Sequence, residues 1–120
     1  MSIKTIIHGA SSFYGIRKGS TSLNGKSFTP IHSELTKYPL VIHAVNFMAN
    51  DKITHMWRIT IDGVKAFPFN DEANIHPNKL MNIMPVKVGS GCFLSIEVKS
   101  KIEDDRDIII MDELDIEEMR

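Results

Sequence analysis

The segment Ile53-Thr54-His55-Met56-Trp57-Arg58-Ile59-Thr60-Ile61-Asp62-Gly63-Val64-Lys65-Ala66 decides the fold class. Ile53, His55, Trp57, Ile59 and Ile61 share one parity; Thr54, Met56, Arg58 and Thr60 share the other. Side chains of a strand alternate between two faces, so this is the pattern of a half-buried β-strand. Asp62-Gly63 then closes a two-residue hairpin, because a type I′ turn requires positive φ at both central residues. Such a turn sets Ile61 opposite Val64 and Ile59 opposite Ala66, which brings the apolar faces together.

The same grammar extends outward from this hairpin. Leu40 to Ala49 is a nearly continuous apolar run that starts after Pro39 and stops at Asn50-Asp51, as a buried strand does. Val86-Lys87-Val88, the turn Gly89-Ser90-Gly91 and the run Cys92 to Val98 form a second pair of strands. In the latter, Cys92, Leu94, Ile96 and Val98 face the core, while Phe93, Ser95, Glu97 and Lys99 face away. Ile3, Thr5 and Ile7 suggest an opening strand and Ile102 to Met111 a last one, with Asp112 to Met119 as a short helical turn or an extended arm. Two segments rich in Gly, Ser, Asn and Pro, Ser11 to Ile31 and Pro68 to Pro85, read as long loops. The first would carry a small hairpin at Asn24-Gly25. Closely spaced strands without long helical periodicity predict an all-β fold: an antiparallel, jelly-roll-like β-sandwich with long loops.

A chain of 120 residues and 13.6 kDa has room for one such domain. We place the sandwich in residues 1–102 and an acidic C-terminal arm in 103–120, which adds a strand to its own sheet or to a neighbour's. The formal net charge of −1 conceals a strong split. Residues 1–60 hold seven Lys/Arg and two acids, net +5; residues 61–102 hold five and four, net +1; residues 103–120 hold two and nine, net −7. A solvated acidic tail has no use for Ile108-Ile109-Ile110-Met111, Leu114, Ile116 and Met119, so this segment is expected to bind something. No apolar run approaches the roughly 20 residues of a membrane helix. The short apolar stretch of Met1–His8, broken by Thr5, is no signal peptide.

Chemical motifs fail on spacing. Gly19 to Ser27 has five residues between its glycines where a phosphate loop has four, and neither a buried strand nor a helix flanks it. His8, His32, His43, His55 and His76 form no metal-type pair, although His43 and His55 would approach if their strands paired. Cys92 is the single cysteine, which excludes an internal disulfide, and its core-facing parity suits a small hydrophobe better than a nucleophile. The clustered acids lack the contrasting environments of a catalytic pair. We therefore expect no enzyme, no catalytic residue, no metal and no cofactor. Nucleic acid is disfavoured as a partner, since the acidic tail would compete for the basic surface of Arg17, Lys18, Lys26, Lys37, Lys52 and Arg58. Met48, Met56, Met81, Met84 and Met111, with Phe67, Phe69 and Phe93, exceed what one inward face requires and suit an adaptable contact surface.

Three stretches together resemble a known group of proteins. They are Tyr38-Pro39-Leu40-Val41-Ile42-His43-Ala44-Val45-Asn46-Phe47, Trp57-Arg58-Ile59-Thr60-Ile61-Asp62-Gly63-Val64, and Pro85-Val86-Lys87-Val88-Gly89-Ser90-Gly91-Cys92-Phe93-Leu94-Ser95-Ile96-Glu97-Val98. Their rhythm is similar to the small jelly-roll or β-sandwich modules of bacteriophage virion structural proteins, over about residues 38–99. The resemblance rests on core and turn positions, so it transfers no binding residues. It implies a non-enzymatic structural or assembly subunit of a virus particle, such as a capsid decoration or a tail or fibre attachment protein. The location implied is the virion, assembled in the host cytoplasm, and the partners are other virion proteins or copies of the chain itself.

In that role Ile108, Ile109, Ile110 and Met111 would add a strand to a neighbour's sheet edge, where main-chain hydrogen bonds supply affinity. Asp112 and Glu113 would pair with Arg17, Lys18 and Lys26 and fix the orientation. Deleting 103–120 is then expected to abolish assembly and leave the fold; an unfolded truncation would place the strand in its own core. The alternative is a carbohydrate-binding sandwich with Tyr14, Tyr38 or Trp57 as the stacking platform for a glycan, although the parity of Trp57 puts it inside. A small regulatory protein that binds a host factor through its acidic tail is the third expectation.

Overall fold

The computed structural model of the chain describes residues 12–23, 27–49, 55–68, 73–75, 79–100 and 108–120. Among them every regular element is a strand: β1 (Ser12–Leu23), β2 (Thr29–Leu35), β3 (Leu40–Ala49), β4 (His55–Ile61), β5 (Val64–Phe67), β6 (Ala73–Asn74), β7 (Lys79–Val88), β8 (Phe93–Ser100) and β9 (Ile108–Met119). Sheet A has the order β1-β9-β3-β7, and sheet B the order β2-β8-β4-β5 with β6 against β4. The protein is an antiparallel β-sandwich. Apart from the two-residue β6, its pairings nest: β1 with β9, β2 with β8, β3 with β7 and β4 with β5. A single antiparallel ribbon folded over on itself produces that set, and the folding adds the β3–β9 and β4–β8 ladders.

The core lies between the sheets. Ile42, Val45, Phe47, Ile110, Leu114 and Ile116 come from sheet A; Ile31, Trp57, Ile59, Leu94, Ile96 and Val98 come from sheet B. Trp57 meets Phe47 edge to face at 5.1 Å between ring centroids and Phe67 at 4.7 Å, which joins the layers through aromatic contact. Buried Thr36 ties the β2–β3 crossing to the β7–β8 turn. Its Oγ1 donates to Gly89 O at 2.6 Å and accepts from Cys92 N at 3.0 Å, while Gly91 N donates to Thr36 O at 2.7 Å.

The hairpin that anchors the sequence reading is present, with Asp62 and Gly63 at positive φ and Ile61 opposite Val64. Two residues further the register departs from expectation. Ile59 faces Phe67 and not Ala66, because a bulge between Ile59 and Thr60 inserts a residue on the β5 side. β4 is also more than half-buried, since Met56 and Thr60 on its second face are buried as well. On that side Arg58 lies 3.9 Å over the Phe28 ring and reaches Glu97, so side chains of β8 and of the segment before β2 cover it. Cys92 is partly buried against the core.

Both expected loops turn out to hold strands. Ser11 to Ile31 contains β1 and the start of β2, which enter opposite sheets. β1 escaped the alternation test because its inward positions are Phe13, Gly15, Arg17, Gly19 and Thr21. Gly19 is small for a reason: an added Cβ would collide with Ile31 O and stand 2.7 Å from Asp112 Oδ1. Pro68 to Pro85 contains β6 and most of β7. β7 is an edge strand, where Pro85 costs little in ladder hydrogen bonds. The largest correction concerns the acidic segment. Over Ile108–Met119 it is neither helical turn nor free arm but β9, paired with β1 on one side and β3 on the other within the same chain. The opening strand around Ile3–Ile7 and the Asn24-Gly25 hairpin lie outside the described residues.

Candidate functional site

Alternation along β9 sorts the acidic segment into two rows. Ile110, Asp112, Leu114, Ile116 and Glu118 are buried toward sheet B. Ile109, Met111, Glu113, Asp115 and Glu117 form a row on the outer face of sheet A. That row is flanked by Tyr14, Ile16 and Lys18 on β1 and by His43, Asn46 and Met48 on β3, as the two registers require.

The outer face has two ends. At one, Tyr14 stands 78% exposed and is the cross-strand partner of Glu117. His43 is the extra residue at a bulge in β3, between Ile42 opposite Ile116 and Ala44 opposite Asp115, and the bulge aims its ring outward. Its Nε2 lies 3.1 Å from Glu117 Oε1, and its ring centroid is 6.4 Å from that of Tyr14. Tyr14, Gly15, Ile16, His43, Asp115 and Ile116 enclose an open hollow of about 640 Å³. At the other end Ile109 is 48% and Met111 43% exposed, and with Met48 and Ala49 they line an apolar hollow of about 190 Å³. Glu117 lies eight positions beyond Ile109 on β9, about 27 Å at the usual rise of a strand.

Arg17 and Lys18 do meet the acidic segment, but inside one chain. Arg17 Nη2 is 2.9 Å from Glu118 Oε2 and its Nε 3.2 Å from Glu34 Oε1, while Lys18 Nζ is 3.8 Å from Glu113 Oε1. Lys26 lies outside the described residues. The expected contact run divides by parity: Ile109, Met111 and Glu113 face outward, whereas Ile110 and Asp112 face inward. Trp57 is only 2% exposed, so it is no stacking platform. Tyr38 is half-buried, with the Arg120 guanidinium 5.6 Å from its ring. Tyr14 alone of the three aromatic candidates stands open on a sheet face. His43 and His55 belong to different sheets and do not pair.

The inward corner between β1, β2 and β9 is polar. His32 Nε2 lies 3.0 Å from Glu34 Oε1, and Arg120 Nε donates to Glu118 Oε1 at 2.7 Å. The Arg120 bond, with further help from Arg17, holds the Glu118 carboxyl below its ordinary range. Asp112 is 1% exposed, and neither carboxyl oxygen makes a hydrogen bond among the described residues. Burial pushes its pKa up to about 6, and His32 and the backbone at Gly19 offset this only in part. Among the described residues no group of three or more His, Cys, Asp or Glu side chains is placed to hold a metal ion. Sequence reasoning noticed His43 only as a metal candidate. The signal for its outward aim was a polar residue that breaks an otherwise apolar run.

No protein-family model matches the chain, and no curated protein matches it.

Proposed function

We propose that the protein is a non-enzymatic structural subunit of a virus particle of the phage type: a jelly-roll sandwich that contacts copies of itself through one end of its outer sheet face. The observation that carries this reading is the pairing of two exposed apolar side chains, Ile109 and Met111, on a regular strand beside Met48 and Ala49. Two large apolar groups held outward on a rigid strand favour a protein contact over water. The nested strand pairing supports the jelly-roll assignment, because two Greek keys wound from one ribbon give that order. The resemblance of residues 38–99 to phage virion modules supplies the particle setting. A fold alone would not carry the function, so the surface has to.

Sedimentation of the wild-type chain over a range of concentrations tests it. We expect a defined oligomer, and a monomer with an unchanged far-ultraviolet spectrum for the Ile109→Lys/Met111→Lys double variant. A wild-type chain that stays monomeric at every concentration, or a double variant that assembles as wild type does, overturns the proposed contact.

A further inference from the structure

The Tyr14 end of the outer face differs in chemistry from the assembly end. Here a phenol ring lies open beside a hollow whose walls combine apolar groups with an imidazole and a carboxylate. We propose that the hollow formed by Tyr14, Ile16, His43 and Asp115, with Glu117 beside it, is a binding site for a neutral pyranose sugar.

A pyranose ring presents a face of C–H groups and a rim of hydroxyls. The first calls for an apolar aromatic surface, the second for fixed acceptors. Tyr14, 78% exposed, offers a ring with little competing cover, and Ile16 extends the apolar floor. Carboxylates accept hydrogen bonds from hydroxyls with charge assistance. Asp115 and Glu117, two residues apart on β9, put two of them on the same face. The 3.1 Å contact between His43 Nε2 and Glu117 Oε1 fixes imidazole and carboxylate against each other. All these groups stand on three adjacent, hydrogen-bonded strands, so the backbone of the site needs no ordering on binding. The volume of about 640 Å³ falls within the range of small-molecule sites, about 300–1,000 Å³.

The same observations disfavour other occupants. An apolar protein surface would strip water from Asp115 without supplying a new partner. An anionic sugar would meet two carboxylates, and the cation on the same face of β1, Lys18, already lies against Glu113. Its nearest residue on β9, Asp115, is four positions from Met111, about 14 Å at the usual rise of a strand, so the two sites share no residue.

Saturation-transfer NMR on the full chain tests the proposal, with the methyl glycosides of glucose, galactose, mannose and N-acetylglucosamine as probes. We expect transfer to the C–H protons of one ring face for at least one of them. Tyr14→Ala should weaken that glycoside by about tenfold, Tyr14→Phe should retain it, and Glu117→Gln should lose part of it. Sedimentation of Tyr14→Ala should match wild type, which separates this site from the assembly face. No transfer to any of the four glycosides overturns the proposal. So does binding that survives Tyr14→Ala, or a preference for methyl glucuronide or for an arginine amide over the neutral sugars.

Discussion

Asp112 occupies a core-facing position of β9, with Gly19 on one flank and Phe47 on the other. The groups around it pull in opposite directions. Burial and the Glu113 charge favour the neutral acid, while His32 and the backbone groups of Gly19 and Asp112 favour the anion. Burial dominates, so the folded pKa stands near 6 against 3.8 for the ordinary side chain. Below both values folded and unfolded chains carry the proton alike, and the full stability is present. As pH rises from about 4 the unfolded chain releases its proton while the folded chain holds it, so stability falls until the pH passes about 6. A shift of roughly two units corresponds to a loss on the order of 3 kcal/mol. Asp112→Asn removes the ionisation and should be the more stable protein at pH 8, with roughly half of that advantage left at pH 5. Urea unfolding followed by the fluorescence of Trp57 at both pH values measures this. An equal difference between the two proteins at pH 5 and pH 8 would mean that Asp112 does not titrate in this range.

Charge also governs which elements sequence reading could find. β3, β4, β5 and β8 were legible because their inward residues are apolar and their ends carry turn chemistry, as at Asp62-Gly63. β9 was legible only in part, because two of its inward positions are Asp112 and Glu118, so its second half read as a helical turn or extended arm. β1 was hidden by Gly15, Arg17 and Gly19 at its inward positions, and β7 by Pro85, which only an edge strand tolerates. The Tyr14–His43 site was named only in parts, because those residues become neighbours through β9, and strand order follows from folding the whole ribbon. The consequence for β9 is sharp. It supplies Ile110, Leu114 and Ile116 to the core and stands between two partner strands. Deleting 103–120 should therefore unfold the chain, contrary to the expectation for a free arm. Leu114→Ala, a milder change at a fully buried site, should cost about 2–5 kcal/mol. Met111→Ala, on the outer row, should cost under about 1 kcal/mol. Circular dichroism of the truncation and urea midpoints of the two variants give the comparison, and a truncation with a native spectrum would contradict the placement of β9.

At the scale of the molecule, the split between a basic first half and an acidic end suggests a chain that seeks an oppositely charged partner. The fold answers that demand internally. By inserting β9 between β1 and β3, it sets Arg17 against Glu118, Lys18 against Glu113 and His43 against Glu117. The Lys18–Glu113 and His43–Glu117 pairs are partly exposed and worth at most about 1 kcal/mol each, whereas Arg17 reaches the buried Glu118; all three matter here chiefly because they occupy the charges that an intersubunit contact would have used. What remains for a neighbour at the assembly end is apolar: Ile109, Met111, Met48 and Ala49. The salt response of association separates the two cases. An oligomer held by oppositely charged patches loosens as salt screens them, over a Debye length that shrinks from about 10 Å at 0.1 M to about 3 Å at 1 M. One held by apolar side chains beside a row of carboxylates should hold or tighten, since salt screens like charges on approaching subunits and sulfate strengthens apolar burial. We therefore expect the absolute mass from light scattering to be unchanged or higher in 1 M sodium chloride than in 0.05 M, and higher again in sodium sulfate. A mass that falls with salt would assign the contact to charges outside β9 and leave Ile109 and Met111 without the role proposed for them.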